Sequence, residues 1–161
     1  MLYTIKKWLD RLILSISYFL TFVLVIGALW QVFSRYVLSE PSTFTNELLR
    51  FLLVWTALLG ASYAFGSNKH LALTFVKNKI KGKSWLVVSV INDVFILAFA
   101  ILVLIKGGSQ LVETTMTQLT PILQIPMGVV YSILPISGII IVLYKILNIK
   151  FYAKPAEKVG E

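Results

Sequence analysis

The sequence predicts an all-α integral membrane protein. It has four transmembrane helices, both termini cytoplasmic, and a short amphipathic interfacial helix between spans two and three. Three observations predict it. Four long stretches are almost free of charge, and the segments between them alternate between rich and poor in lysine and arginine. The chain is also 58% hydrophobic, with a mean hydropathy of +0.85, well away from ordinary soluble domains.

Length justifies each span. Leu12–Ser34 and Phe51–Asn68 contain no charge, Trp85–Ile105 contains only Asp93, and Met127–Tyr144 is charge-free. As helices they reach roughly 27–34 Å, enough for a hydrocarbon core of about 30 Å. Spans are expected at about 12–34, 48–65, 85–105 and 127–147, all in one membrane domain over 1–161. The first exceeds the apolar run of a secretory signal and ends in Arg35-Tyr36 without a small-residue cleavage pattern, so it reads as a retained anchor.

Orientation follows from charge. The N-terminal segment, the loop after span two and the C-terminal segment together hold 12 lysines and arginines. The other two connections hold Arg35 and Lys106, or three basic residues with Arg50. The positive-inside bias then places both termini and the lysine-rich loop in the cytoplasm. The net charge of +8 is thus a topology signal beside span ends, and no nucleic-acid partner is expected. Trp30, Tyr36, Trp85, Tyr131 and Tyr144 lie near span ends, as interfacial aromatics do.

The connections carry their own signals. Pro41 biases Glu40 away from helix, and a helix start in Ser42–Thr45 leaves Glu47 near the positive end of the dipole. Gly66-Ser67-Asn68 reads as a helix stop. From about 70 to 80, apolar and polar residues alternate in a stretch too short to span. This is either a helix in the headgroup layer or a solvated basic loop. Gly107-Gly108 is expected to loosen the end of span three. Thr120-Pro121 and Ile125-Pro126 turn the chain into span four, where Pro135 is expected to kink the helix.

Ionisable groups inside a membrane cost about 2.5–3.5 kcal/mol at mid-helix, so each needs a partner or a task. Asp93, roughly 12 Å along its helix from Trp85, is the deepest. It is either an ion or proton site or a hydrogen-bonded acid that fixes helix packing; one carboxylate alone makes a poor cation cage. Glu47 and Arg50 are spaced to pair on one helix face, with Arg35 close across the short loop. They form a polar clamp for a partner or substrate, an ion pair bracing spans one and two, or both. Thr56, Gly60 and Ala64 place small residues at four-residue spacing, a helix-packing face towards another span or another protein.

Inventory excludes several chemistries. A two-histidine haem needs more than His70, there is no cysteine for thiol or metal work, and no phosphate loop or nucleophile–base set occurs. The inverted repeats with broken helices of a self-sufficient transporter are missing too. No enzyme and no cofactor in this chain are expected. The pattern suits a subunit.

The run Arg35-Tyr36, Pro41, Phe44-Thr45-Asn46-Glu47-Leu48, Arg50, Trp55, Gly60, Ala64 and His70-Leu71 resembles the small, DctQ-type membrane subunit of tripartite ATP-independent periplasmic (TRAP) transporters. Thr120-Pro121, Ile125-Pro126, Tyr131 and Leu134-Pro135 continue the likeness. Asn46 stands where a second acid is usual, Phe44 where tryptophan is common, and Thr74 where an acid often follows the histidine. The resemblance implies a multi-pass protein of the bacterial inner membrane bound to a large, elevator-type subunit that holds the sodium and substrate sites. It also implies a periplasmic binding protein delivering an organic acid, such as a C4-dicarboxylate or a sialic acid. Bound phospholipid is expected between the helices. Arg35, Glu47, Arg50, Trp55, Gly60 and Asp93 are the expected bracing and docking residues, and the outward loops over Arg35–Asn46 and Lys106–Pro126 the landing surface. Two alternatives belong to other classes: a self-oligomerising four-span channel or small exporter, and a membrane anchor for a peripheral enzyme.

Overall fold

The computed structural model describes residues 2–66 and 83–152. The expected interfacial helix at about 70–80 lies outside the described residues. Helix α1 runs Leu2–Tyr36 and α2 runs Thr43–Gly66. Span three is one continuous rod: α3 (Lys83–Phe99), a π-helical segment (Ala100–Gly107) and α4 (Gly108–Thr115). Span four is α5 (Met127–Tyr131) followed by α6 (Ile133–Tyr152). Among the described residues, four helices are long and apolar enough to cross a membrane, over Thr4–Tyr36, Thr43–Gly66, Val90–Thr115 and Met127–Asn148. The fold class is all-helical, as the hydropathy pattern predicts.

The packing has a clear centre. In span four, 39% of the most apolar window is buried, against 6% in span one and 11% in spans two and three. Span four is therefore the element the others wrap. On one side Ile13 of α1 and Leu59 of α2 join Ile133 and Tyr144. On the other, Ala100 and Leu104 of the π segment meet Ile141. The buried row Val130, Ile133, Ser137, Ile141, Tyr144, Asn148 follows the three-and-four spacing of one helix face. Most of the remaining apolar surface, including Phe19, Phe22 and Leu29, stays exposed, as expected of groups that lipid or another subunit covers.

Local chemistry explains the element ends. The Ser42 hydroxyl accepts a hydrogen bond from the Thr45 amide at 3.3 Å and so caps α2, as the residues after Pro41 suggest. Between α1 and α2 the chain turns through Ser39 at φ 56°, with the Glu40 amide bonded back to the Ser34 carbonyl. The expected end of span three near 105 is not where the helix stops. Gly107 and Gly108 keep right-handed helical torsions, and the rod continues to Thr115. Packing overrides the weak helix propensity of glycine here: a Cβ at Gly108 would lie 2.9 Å from Leu134 Cβ and 3.0 Å from Pro135 Cδ. One turn before Pro135 the regular helical bonding of span four is interrupted. The helix breaks at Ser132, whose amide and hydroxyl both bond the Val129 carbonyl.

Candidate functional site

Polar groups concentrate at the two ends of the bundle. At the end bearing the α1–α2 turn and the α4–α5 loop, the chain after Thr115 forms a small hairpin. Leu119 and Pro126 pair as an antiparallel bridge, the Thr120 amide bonds the Ile125 carbonyl at 2.9 Å, and Gln124 adopts φ 53°. The fully buried Thr120 hydroxyl accepts from the Ile125 amide, locking the turn. The tip thereby presents two successive backbone N–H groups, those of Ile122 and Leu123, in one direction. Such a nest suits an anion.

Glu47 fills it. Its Oε2 accepts from Ile122 at 3.0 Å and Leu123 at 3.1 Å, and the side chain is 91% buried, with 9% of its surface exposed. Each hydrogen bond to a charged group contributes about 1.5–3 kcal/mol. Glu47 therefore ties α2 to the α4–α5 loop. Among the described residues it forms no ion pair with Arg50 or Arg35, so the expected brace between spans one and two is not made this way. Its Oε1 is buried without a hydrogen-bond partner. Beside it lies a cleft of about 440 Å³ lined by Asn46, Arg50, Phe51, Pro121, Ile122 and Met127, among others. Arg50 and Arg35 are both exposed, Arg35 in the last turn of α1, where a cation favours the negative end of the dipole.

The opposite end, where α1 begins and α6 finishes, carries a second polar belt. Asp93 of α3 pairs with Lys145 of α6. One position earlier, the Tyr144 hydroxyl donates to Asp10 Oδ1 of α1 at 2.6 Å. Asn148 donates to the Gly66 carbonyl of α2 at 2.9 Å and accepts from Lys6 Nζ at 2.7 Å. Asp93 is thus level with the polar ends of all the other spans and shares its charge with a buried lysine. Of the two readings of this acid, the geometry describes the one that fixes helices. Gly66, the final residue of α2, packs so close to the Tyr144 ring that any Cβ there would run into it.

Between the belts, Trp55 is half-buried against the α1–α2–α6 core and donates from Nε1 to the Val130 carbonyl at 3.0 Å. The Ser62 hydroxyl reaches the Ser137 carbonyl of α6 at 3.3 Å, two residues past Pro135. Gly60 has nothing within 4 Å of the position a Cβ would take, and Ala57 beside it is exposed. Gly60 and Ala57 therefore open outward, while Thr56, Ala61 and Ala64 of the same small-residue rows are half-buried. Sequence reasoning left out Asn148 and Asp10, counted Lys145 among the cytoplasmic charges, and took Tyr144, which is fully buried, for an interfacial aromatic. The signal was the spacing: Ile141, Tyr144-Lys145 and Asn148 continue the buried face of span four.

Known proteins share this architecture's sequence. The family model for the DctQ component of tripartite ATP-independent periplasmic transporters matches residues 24–150. The Haemophilus influenzae protein named as a TRAP transporter small permease is 28% identical over 137 residues, covering 85% of this chain and 82% of that one. The sialic acid TRAP transporter small permease protein SiaQ of Vibrio cholerae is 26% identical over 150 residues, covering 89% and 86% respectively.

Proposed function

The chain belongs to the DctQ component family of tripartite ATP-independent periplasmic transporters, and from that premise we propose that it braces the immobile scaffold of a sodium-coupled carrier for an organic acid. It is a small permease subunit, a multi-pass protein of the inner membrane and a transport component, not an enzyme. Such subunits work with a large membrane subunit and a binding protein. The proposal adds the division of labour, the coupling ion and the cargo.

One observation carries it. Glu47, Asp93, Asp10, Lys145 and Asn148 are each engaged in joining one helix or loop of this chain to another. Polar chemistry spent on holding helices suits a brace, whereas a carrier keeps such groups for its cargo. Sodium and substrate are then bound by the large subunit. A sialic acid or a C4-dicarboxylate is the proposed cargo; the sialic acid assignment of the Vibrio cholerae relative supports the first. The end carrying both termini faces the cytoplasm, supported by the lysine distribution. The cleft end then faces the periplasm, where the hairpin and the α1–α2 turn meet the loaded binding protein, and phospholipid fills the spaces between tilted helices.

Reconstitution tests this reading. Liposomes holding both membrane subunits and loaded binding protein should take up a sialic acid or C4-dicarboxylate when an inward sodium gradient is imposed. Omitting this chain should abolish most of the uptake without changing what the binding protein captures. Full uptake by the large subunit alone would refute the bracing role, and gradient-independent uptake would refute the sodium coupling.

A further inference from the structure

We infer that the outer part of the span-three rod, along Leu102, Lys106, Gly107, Gln110 and Glu113, is the face on which the large membrane subunit packs, and that the subunit presents a carboxylate to Lys106. This rests on the reading of the chain as a small permease subunit, and it assigns a surface that reading leaves open.

Depth is the first argument. Lys106 sits nine residues before the helix end at Thr115, about 13 Å along the axis. The neighbouring helix gives an independent level. A Cβ at Gly108 would touch Leu134 and Pro135, and one at Gly138 would lie 2.8 Å from Ile105 Cγ1 and 2.9 Å from Leu104 Cβ. Lys106 is therefore level with residues 135–138, the middle of the Met127–Asn148 span. Expected from sequence to lie in a loop, this lysine is held at half-depth.

Direction is the second. Ala100, Leu104, Gly108 and Thr115 are the buried row of the rod and face span four, while Lys106 is exposed. Among the described residues no carboxylate lies within ion-pair distance of it. Asp93, earlier in this span, has Lys145, and Glu113, two turns away, makes no ion pair with Lys106, so the cation at 106 has no counterion within the described fold. A four-carbon stem is shorter than the 13 Å or so to the helix end, so snorkelling alone does not bring the ammonium to lipid phosphates.

The third argument is what surrounds it. Gln110 and Glu113, one and two turns further on, are exposed on the same face, and Gly107 beside Lys106 leaves the backbone open to close approach. Lipid tails satisfy none of these groups. On span one the corresponding exposed row is Phe19, Phe22, Ile26 and Leu29, which suits lipid. A protein helix bearing an acid, offered where a cation waits in low dielectric, fits the polar row better.

The test uses the whole complex, tagged on this chain and extracted in mild detergent. Co-purification of the large subunit with the wild-type chain reads the function; its absence there refutes that reading and this one together. With that pairing established, a benzophenone amino acid at Val103 or Gln110 should give a photo-adduct with the large subunit. Lys106→Arg should retain the pairing, while Lys106→Glu should weaken it roughly tenfold or more through like-charge contact. The chain should still insert, because Lys106 is exposed and makes no ion pair among the described residues. Adducts with lipid only, adducts only from a label at Ile26, or equal recovery with Lys106→Glu would each overturn the assignment while leaving the function reading intact.

Discussion

Replacing Asp93 by Asn should destabilise the subunit more than replacing Lys145 by Met, although both remove the same ion pair. The reason is unequal burial. The Lys145 side chain is 5% exposed and that of Asp93 is 33% exposed. Removing the acid strands an ammonium in the packed interior, whereas removing the lysine leaves a carboxylate that water or a headgroup reaches. Breaking a fully buried pair from one side costs about 3–5 kcal/mol, while exposed pairs are worth about 0–1 kcal/mol. Discounting for the exposed third of Asp93, the expected cost is about 2–3 kcal/mol for Asp93→Asn and about 1 kcal/mol for Lys145→Met. For a chain of 161 residues that corresponds to a fall in Tm of roughly 4–12 °C and 2–4 °C respectively. The assay is a thermal melt in detergent followed by size-exclusion fluorescence. The double variant Asp93→Leu with Lys145→Met should recover most of the loss, since an apolar pair of similar volume is often neutral. Equal losses from the two single variants, or no loss from Asp93→Asn, would show that the pair is not buried asymmetrically and would sink the reasoning.

Three further outcomes are expected. Glu47→Leu should speed hydrogen exchange at the Ile122 and Leu123 amides by at least about tenfold, because both lose their carboxylate acceptor; unchanged rates would mean other acceptors hold the hairpin tip. Gly66→Ala should sharply reduce the yield of folded protein, since the added methyl collides with the Tyr144 ring, and Tyr144→Leu in the same chain should restore part of it. Gly60→Ala should leave Tm unchanged or raised by up to about 1 kcal/mol equivalent, from helix propensity at an open site. A marked drop would place Gly60 in a contact within the subunit.

The spans were legible because their signal is collective: twenty apolar residues in a row have few other uses in a folded chain. The α2 start was legible because Pro41 and Ser42 act locally. Span three was harder. Gly107-Gly108 and Lys106 carry a strong local stop signal, yet the helix runs on through both glycines, and Leu134 and Pro135 pack so close to Gly108 that a side chain there would not fit. The polar belt was illegible for a related reason. Asp93 and Lys145 are 52 residues apart, and sequence spacing pairs only groups on one helix, as it did with Glu47 and Arg50. Glu47 was recognisable as important; its partners were not, because backbone amides leave no residue signature. Taking Lys145 out of the cytoplasmic tally leaves the charge bias intact, which is why the orientation does not depend on that error.

Span four leaves the ribosome after the other three, and it supplies partners to each of them. Until it inserts, Asp10, Asp93 and the Gly66 carbonyl lack the hydrogen bonds that Tyr144, Lys145 and Asn148 provide. The first three segments must wait, loosely held, for a keystone that arrives after them. A nascent chain cut short before residue 144 would carry every stretch needed to enter the bilayer but would leave the polar belt at that end of the bundle open, a ready target for membrane proteases.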